Sequence, residues 1–141
     1  MESTRRIAKK NTVLQTQTNN RLRVDLLKVD KDCFVDKEWI DAYVKVIVQT
    51  CRSYDVLVQT IKMCNSRKKG LHFYIKIHPS VEPERANLLQ FLLGDDCLRV
   101  NFNRARIASG LLEWNKLFEV AGRRLKTIYR EPRNELKVHA E

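Results

Sequence analysis

The sequence is short of the features that most often announce a chemistry. It has four cysteines, Cys33, Cys51, Cys64 and Cys97, spread along the chain with no C-x-x-C pair. A zinc site needs soft ligands clustered at short spacing, so cysteine-held metal is not expected. The start, MESTRRIAKK, has no apolar stretch of the secretory kind. The thiols are therefore expected to be reduced, in a cytoplasmic protein. No apolar run reaches the length of a membrane-spanning helix, so no membrane partner is expected. Walker-type phosphate loops, G-x-S-x-G and H-E-x-x-H are absent. Acidic residues are scarce as well, with 17 Asp and Glu against 27 Lys and Arg for a net charge of +10. Such an excess bears on partners rather than on fold, and nucleic acid is the partner it favours.

What is present is one domain's worth of chain, 141 residues, 43% of them hydrophobic. Residues 1–20 read as a flexible basic arm, 21–121 as a single domain and 122–141 as a basic C-terminal tail. RLRVDLLKVD (21–30) reads as a strand. Residues 36–51 read as a helix capped by Asp36, with Trp39, Ile40, Tyr43, Val44 and Ile47 at helical spacing. DVLVQTIKMC (55–64) and LHFYIKIH (71–78) read as two strands of a hairpin. The second alternates, with Leu71, Phe73, Ile75 and Ile77 on one face and His72, Tyr74, Lys76 and His78 on the other. Pro79 is expected to end that strand. Ser80 or Glu82 then opens a helix with Pro83 in its first turn, and Gly94 closes it. LRVNFNRARI (98–107) reads as a fourth strand, Val100 and Phe102 inward, Arg99, Asn101 and Asn103 outward. The expected fold is α+β: a ferredoxin-like or RRM-like β-α-β-β-α-β sheet with helices on one face and a C-terminal extension.

The outward residues then form one surface. His72, Tyr74, Lys76, Arg99, Asn101 and Asn103 supply donors and a ring, and the loop SRKKG adds Arg67, Lys68 and Lys69. Phosphates pair with Lys and Arg and unpaired bases stack on aromatic rings, so this composition suits single-stranded DNA or RNA. The leading reading is a small basic nucleic-acid-binding protein serving replication or regulation of a mobile element. A homo-oligomer is left open, and no cofactor is needed.

SRKKGLHFYIKI (66–77) resembles the second motif of archaeo-eukaryotic primase–polymerase domains, in which a Ser and a Gly precede a His at the start of a strand. The resemblance implies that His72, behind Ser66 and Gly70, contacts nucleotide phosphates. LRVDLLKVD stands where the family's first motif, a strand ending in alternating carboxylates, would be, and supplies Asp25. The second carboxylate falls at Leu27. LRVNFNRAR stands in the place of the third motif but carries Asn101 and Asn103 where an Asp is wanted. Two-metal phosphoryl transfer needs several carboxylates around ions about 3.5–4 Å apart. A reduced primase–polymerase or nuclease using Asp25 and His72 with Mg²⁺ or Mn²⁺ is therefore the second reading. A protein–protein interaction module using the apolar segment Leu111 to Val120 is the third.

Overall fold

The computed structural model describes residues 23–32, 36–65, 70–117 and 124–132. In chain order the elements are β1 (Val24–Lys31), α1 (Lys37–Ser53), β2 (Leu57–Asn65), β3 (Leu71–Val81), α2 (Pro83–Leu92), α3 (Cys97–Ala108) and β4 (Lys126–Arg130). The four strands make one antiparallel sheet in the order β1-β3-β2-β4. β1 and β2 thus run parallel to each other with β3 reversed between them, which is a split βαβ unit. The fold is α+β, and its succession is β-α-β-β-α-α-β.

α1 starts where Asp36 accepts from the Trp39 N–H at 2.9 Å. It buries Tyr43, Ile47 and Cys51 against the inner face of the sheet. That face is built from Leu27 and Val29 of β1, Val58 and Ile61 of β2, and Phe73, Ile75 and Ile77 of β3. α2 begins with Pro83 at its first turn and adds Ala86, Leu89 and Leu93 to the same core. The Tyr43 hydroxyl donates to the Leu93 carbonyl at 2.6 Å and ties the two helices together. Gly94 ends α2 with φ +84, a conformation that a side chain would strain, and the Lys31 amine occupies the space a Cβ would need.

Three expectations are corrected. Residues 98–107 are helix, not strand. Asp96 caps them by accepting from the N–H groups of Leu98 and Arg99, and Val100 and Asn103 face α2 at helical spacing. The apparent two-residue alternation was a short stretch of a helical period. Phe102, expected inward, is exposed, and Asn103, expected outward, is fully buried. The fourth strand comes instead from the C-terminal tail: β4 pairs with β2, and Ile128 and Tyr129 pack partly on the core. Finally, β3 runs through Pro79 to Val81, which pairs with Val24. Pairing with β2 ends at His78 opposite Leu57, so the missing Pro79 N–H removes no bond from that ladder.

Among the described residues no helix is long and apolar enough to cross a membrane. Cys51, Cys64 and Cys97 form no disulfide with one another. Cys51 lies in the core, and burial pushes its thiol up to about 11.

Candidate nucleic-acid interface

Strand register assigns the residues of the outer face. Directly opposed residues of antiparallel neighbours share a face. Tyr74 stands between Lys28 and Lys62, His72 between Asp30 and Cys64, and Lys76 between Leu26 and Thr60. β4 continues these rows with Thr127 opposite Lys62 and Arg130 opposite Thr60. The face thus collects Lys28, Lys62, Lys76 and Arg130. Its acids are Asp25, an exposed partner of Lys76 at 3.9 Å, and Asp30.

The structure brings together only part of the expected site. His72, Tyr74 and Lys76 do share the outer face, and Lys76 is exposed. His72 and Tyr74, however, are only 4% and 9% exposed. Both sit in the central strand, and at that exposure little of the Tyr74 ring remains for a base to stack on. That corrects its expected role as a stacking platform. Arg99, Asn101 and Asn103 are not on the sheet at all. Asn101 is exposed on α3, whereas Asn103 is buried and donates to Asn87 Oδ1 at 3.1 Å. Arg67, Lys68 and Lys69, with Ser66, lie outside the described residues.

Arg99 has a structural task that its sequence position did not suggest. Its Nε donates to both Asp95 carboxylate oxygens at 3.0 and 3.1 Å. Its other nitrogens donate to the carbonyls of Lys28 and Lys116, each at 2.7 Å, and to Asn115 Oδ1 at 2.9 Å. Gln90 accepts from the Lys28 N–H at 3.0 Å, and Asp95 accepts from the Asp30 N–H at 2.9 Å. These side chains occupy the hydrogen-bonding edge of β1, which would otherwise present unpaired backbone groups. They also hold β1 where Asp30 meets His72.

The sequence reading placed its carboxylate at Asp25, yet the acid beside His72 is Asp30. The Asp30 Oδ1 lies 3.5 Å from His72 Nε2, close enough for an ion pair, but no hydrogen bond reaches it. Burial, and then the Asp32 charge, raise the Asp30 carboxyl above its ordinary value of 3.8, while His72 opposes them. The signal for this was available: Asp30-x-Asp32 at the end of β1 is itself an alternating carboxylate pair, and α1 follows it. Among the described residues no three of His, Cys, Asp and Glu converge as a metal-holding group.

The raised carboxyl gives a pH prediction. A group whose folded value lies above its unfolded one favours the fold most below the unfolded value, and that contribution is lost as pH rises through the folded value. Asp30→Asn removes the burdened charge. Its unfolding midpoint should exceed the parent's at pH 7, and the gain should shrink as pH falls toward the ordinary carboxylate value of 3.8. Urea titrations of both proteins across that range check this. A variant less stable at neutral pH, or a difference independent of pH, would contradict it.

The chain matches no protein-family model, no curated protein and no solved structure, so the reading of this face rests on its own geometry.

Proposed function

We propose that this protein binds nucleic acid, single strands in preference to duplexes, on the outer face of its sheet. One observation carries the reading: Lys28, Lys62, Lys76 and Arg130, from four different strands, share one face of a chain with net charge +10. Cations fixed on rigid strands suit a phosphate backbone, and each phosphate neutralised releases counterions. The split βαβ unit supports reading the domain as a ferredoxin-like relative whose last strand has joined the β2 edge.

The test is binding of labelled single- and double-stranded DNA and RNA to the full chain across a salt series. Single strands should bind more tightly, with log affinity falling against log salt by about 0.7 for each phosphate contact. No binding at low salt, or binding that salt leaves untouched, would overturn the reading.

One observation favours a second reading, a reduced primase–polymerase relative. Asp30 and Asp32 alternate at the end of β1, α1 follows, and Asp30 faces His72. Template-directed nucleotide incorporation with Mg²⁺ or Mn²⁺ that vanishes in Asp30→Ala would establish it. Binding without incorporation leaves the first reading in place.

A further inference from the structure

The four cations of the outer face come one from each strand. In the order of the sheet they are Lys28 of β1, Lys76 of β3, Lys62 of β2 and Arg130 of β4. Lys28 and Lys62 lie in the row through Tyr74, and Lys76 and Arg130 in the next row, through Thr60. Successive cations are therefore diagonal neighbours on adjacent strands, about 7–8 Å apart along the backbone. Together they form a band that crosses the whole sheet, three inter-strand steps or about 14 Å wide. Along any one strand the outer face offers a single Lys or Arg. β3 sets Lys76 among His72, Tyr74 and His78, and β2 sets Lys62 between Thr60 and Cys64. Both acids of the face, Asp25 and Asp30, come from β1, at one end of the band. Asp25 reaches Lys76 only at 3.9 Å with both side chains more than half exposed, a pair that solvent screens. Among the described residues neither Lys62 nor Arg130 has an acidic partner.

We infer that a bound single strand crosses the sheet at right angles to the β-strands, with about four consecutive phosphates on Lys28, Lys76, Lys62 and Arg130. The inference rests on the proposed binding function and adds to it a direction, a footprint and a substrate class: a short stretch of single strand of any sequence, held through its backbone. The charge pattern sets the direction. A strand laid across the sheet meets four cations in series, whereas one laid along a β-strand meets one, and on β1 it would also pass Asp30. Sequence tolerance follows from the same two rows. Tyr74 is the only ring in them and is 9% exposed, so no base stacks there and the phosphates carry the affinity.

The experiment uses the full chain and labelled thymidine oligomers of increasing length, with anisotropy read across a salt series. The slope of log affinity against log salt should steepen by about 0.7 for each added phosphate up to about four, then stay level. A slope that keeps steepening well beyond that length would overturn the footprint. Direction is read with oligomers of four linkages in which one end linkage is an uncharged methylphosphonate. On the parent, neutralising either end should flatten the slope by about 0.7. On Lys28→Gln one of the two end linkages should become silent, and on Arg130→Gln the opposite one, because each variant has already lost the partner of that phosphate. Lys28→Arg keeps the charge and should silence neither. Lys76→Gln should silence an internal linkage, which keeps the path testable if an end variant is unstable. If Lys28→Gln and Arg130→Gln flatten the slope yet silence the same end, or no particular linkage, the crossing path is wrong and the sheet-face reading stands. If the parent binds no oligomer, both fall, and they fall equally if it binds only vesicles containing phosphatidylserine.

Discussion

Asp95→Ala is expected to cost the fold about 3–5 kcal/mol, the penalty for removing one partner of a buried ion pair. The Asp95 side chain is fully buried and that of Arg99 only 10% exposed. Removing the carboxylate leaves the guanidinium without a counter-charge and takes the acceptor from the Asp30 and Asp96 N–H groups. Asp95→Asn keeps an acceptor of similar shape and should cost less. The pair acts as a unit, so Asp95→Ala combined with Arg99→Met should cost clearly less than the sum of the two single changes. Asp25→Ala is the control, because its pair with Lys76 is 3.9 Å long and well exposed, and it should change stability by less than about 1 kcal/mol. Urea unfolding of the variants at pH 7 measures all of these. An Asp95→Ala cost no larger than that of Asp25→Ala would mean that the network does not hold β1 in place.

Phe73→Ala should cost about 3–5 kcal/mol, for lost burial and for the cavity left behind. Phe73 is completely buried in the central strand, between Val29 of β1 and Met63 of β2. Its ring meets Tyr43 edge-on with centroids 5.0 Å apart, and Trp39 lies 6.5 Å away. The site therefore joins the sheet to α1, and it cannot collapse without moving both. Phe102→Ala sets the other limit: that ring is mostly exposed, and its loss should change stability by no more than about 0.5 kcal/mol. Comparable costs at the two positions, from the same denaturation experiment, would contradict this division between a buried ring and an exposed one.

The elements legible in the sequence were those whose own residues decide their state. Asp36 capping α1, Pro83 in the first turn of α2 and the two-residue alternation of β3 each carried a local physical signal, and each element formed where that signal lay. α3 was misread because LRVNFN alternates apolar and polar over six residues, too short a window to separate a two-residue period from a helical one. The deciding features were the Asp96 cap and the partner face on α2, and the second of these is a tertiary fact. β4 was missed because KTIYR has only Ile128 and Tyr129 to offer the core and becomes a strand by pairing with β2. At the candidate site, alternation correctly placed His72, Tyr74 and Lys76 on one face. It could not show that the two rings would be almost completely buried, since exposure in a central strand depends on what packs beside and over it. Nor could it bring Asp30, 42 positions earlier in the chain, to His72; the register of β1 on β3 does that.

The central claim is that cations on the outer face hold a nucleic-acid backbone, and a salt series on one multiple variant tests it directly. Lys62→Ala, Lys76→Ala and Arg130→Ala together remove charges from three strands of that face without touching the buried core. Single-strand affinity should fall for every sequence alike, and the slope of log affinity against log salt should flatten by about 0.7 for each cation removed. A triple variant that keeps the parent's affinity and slope would contradict the account, because the charges that hold the strand would then lie elsewhere on the chain.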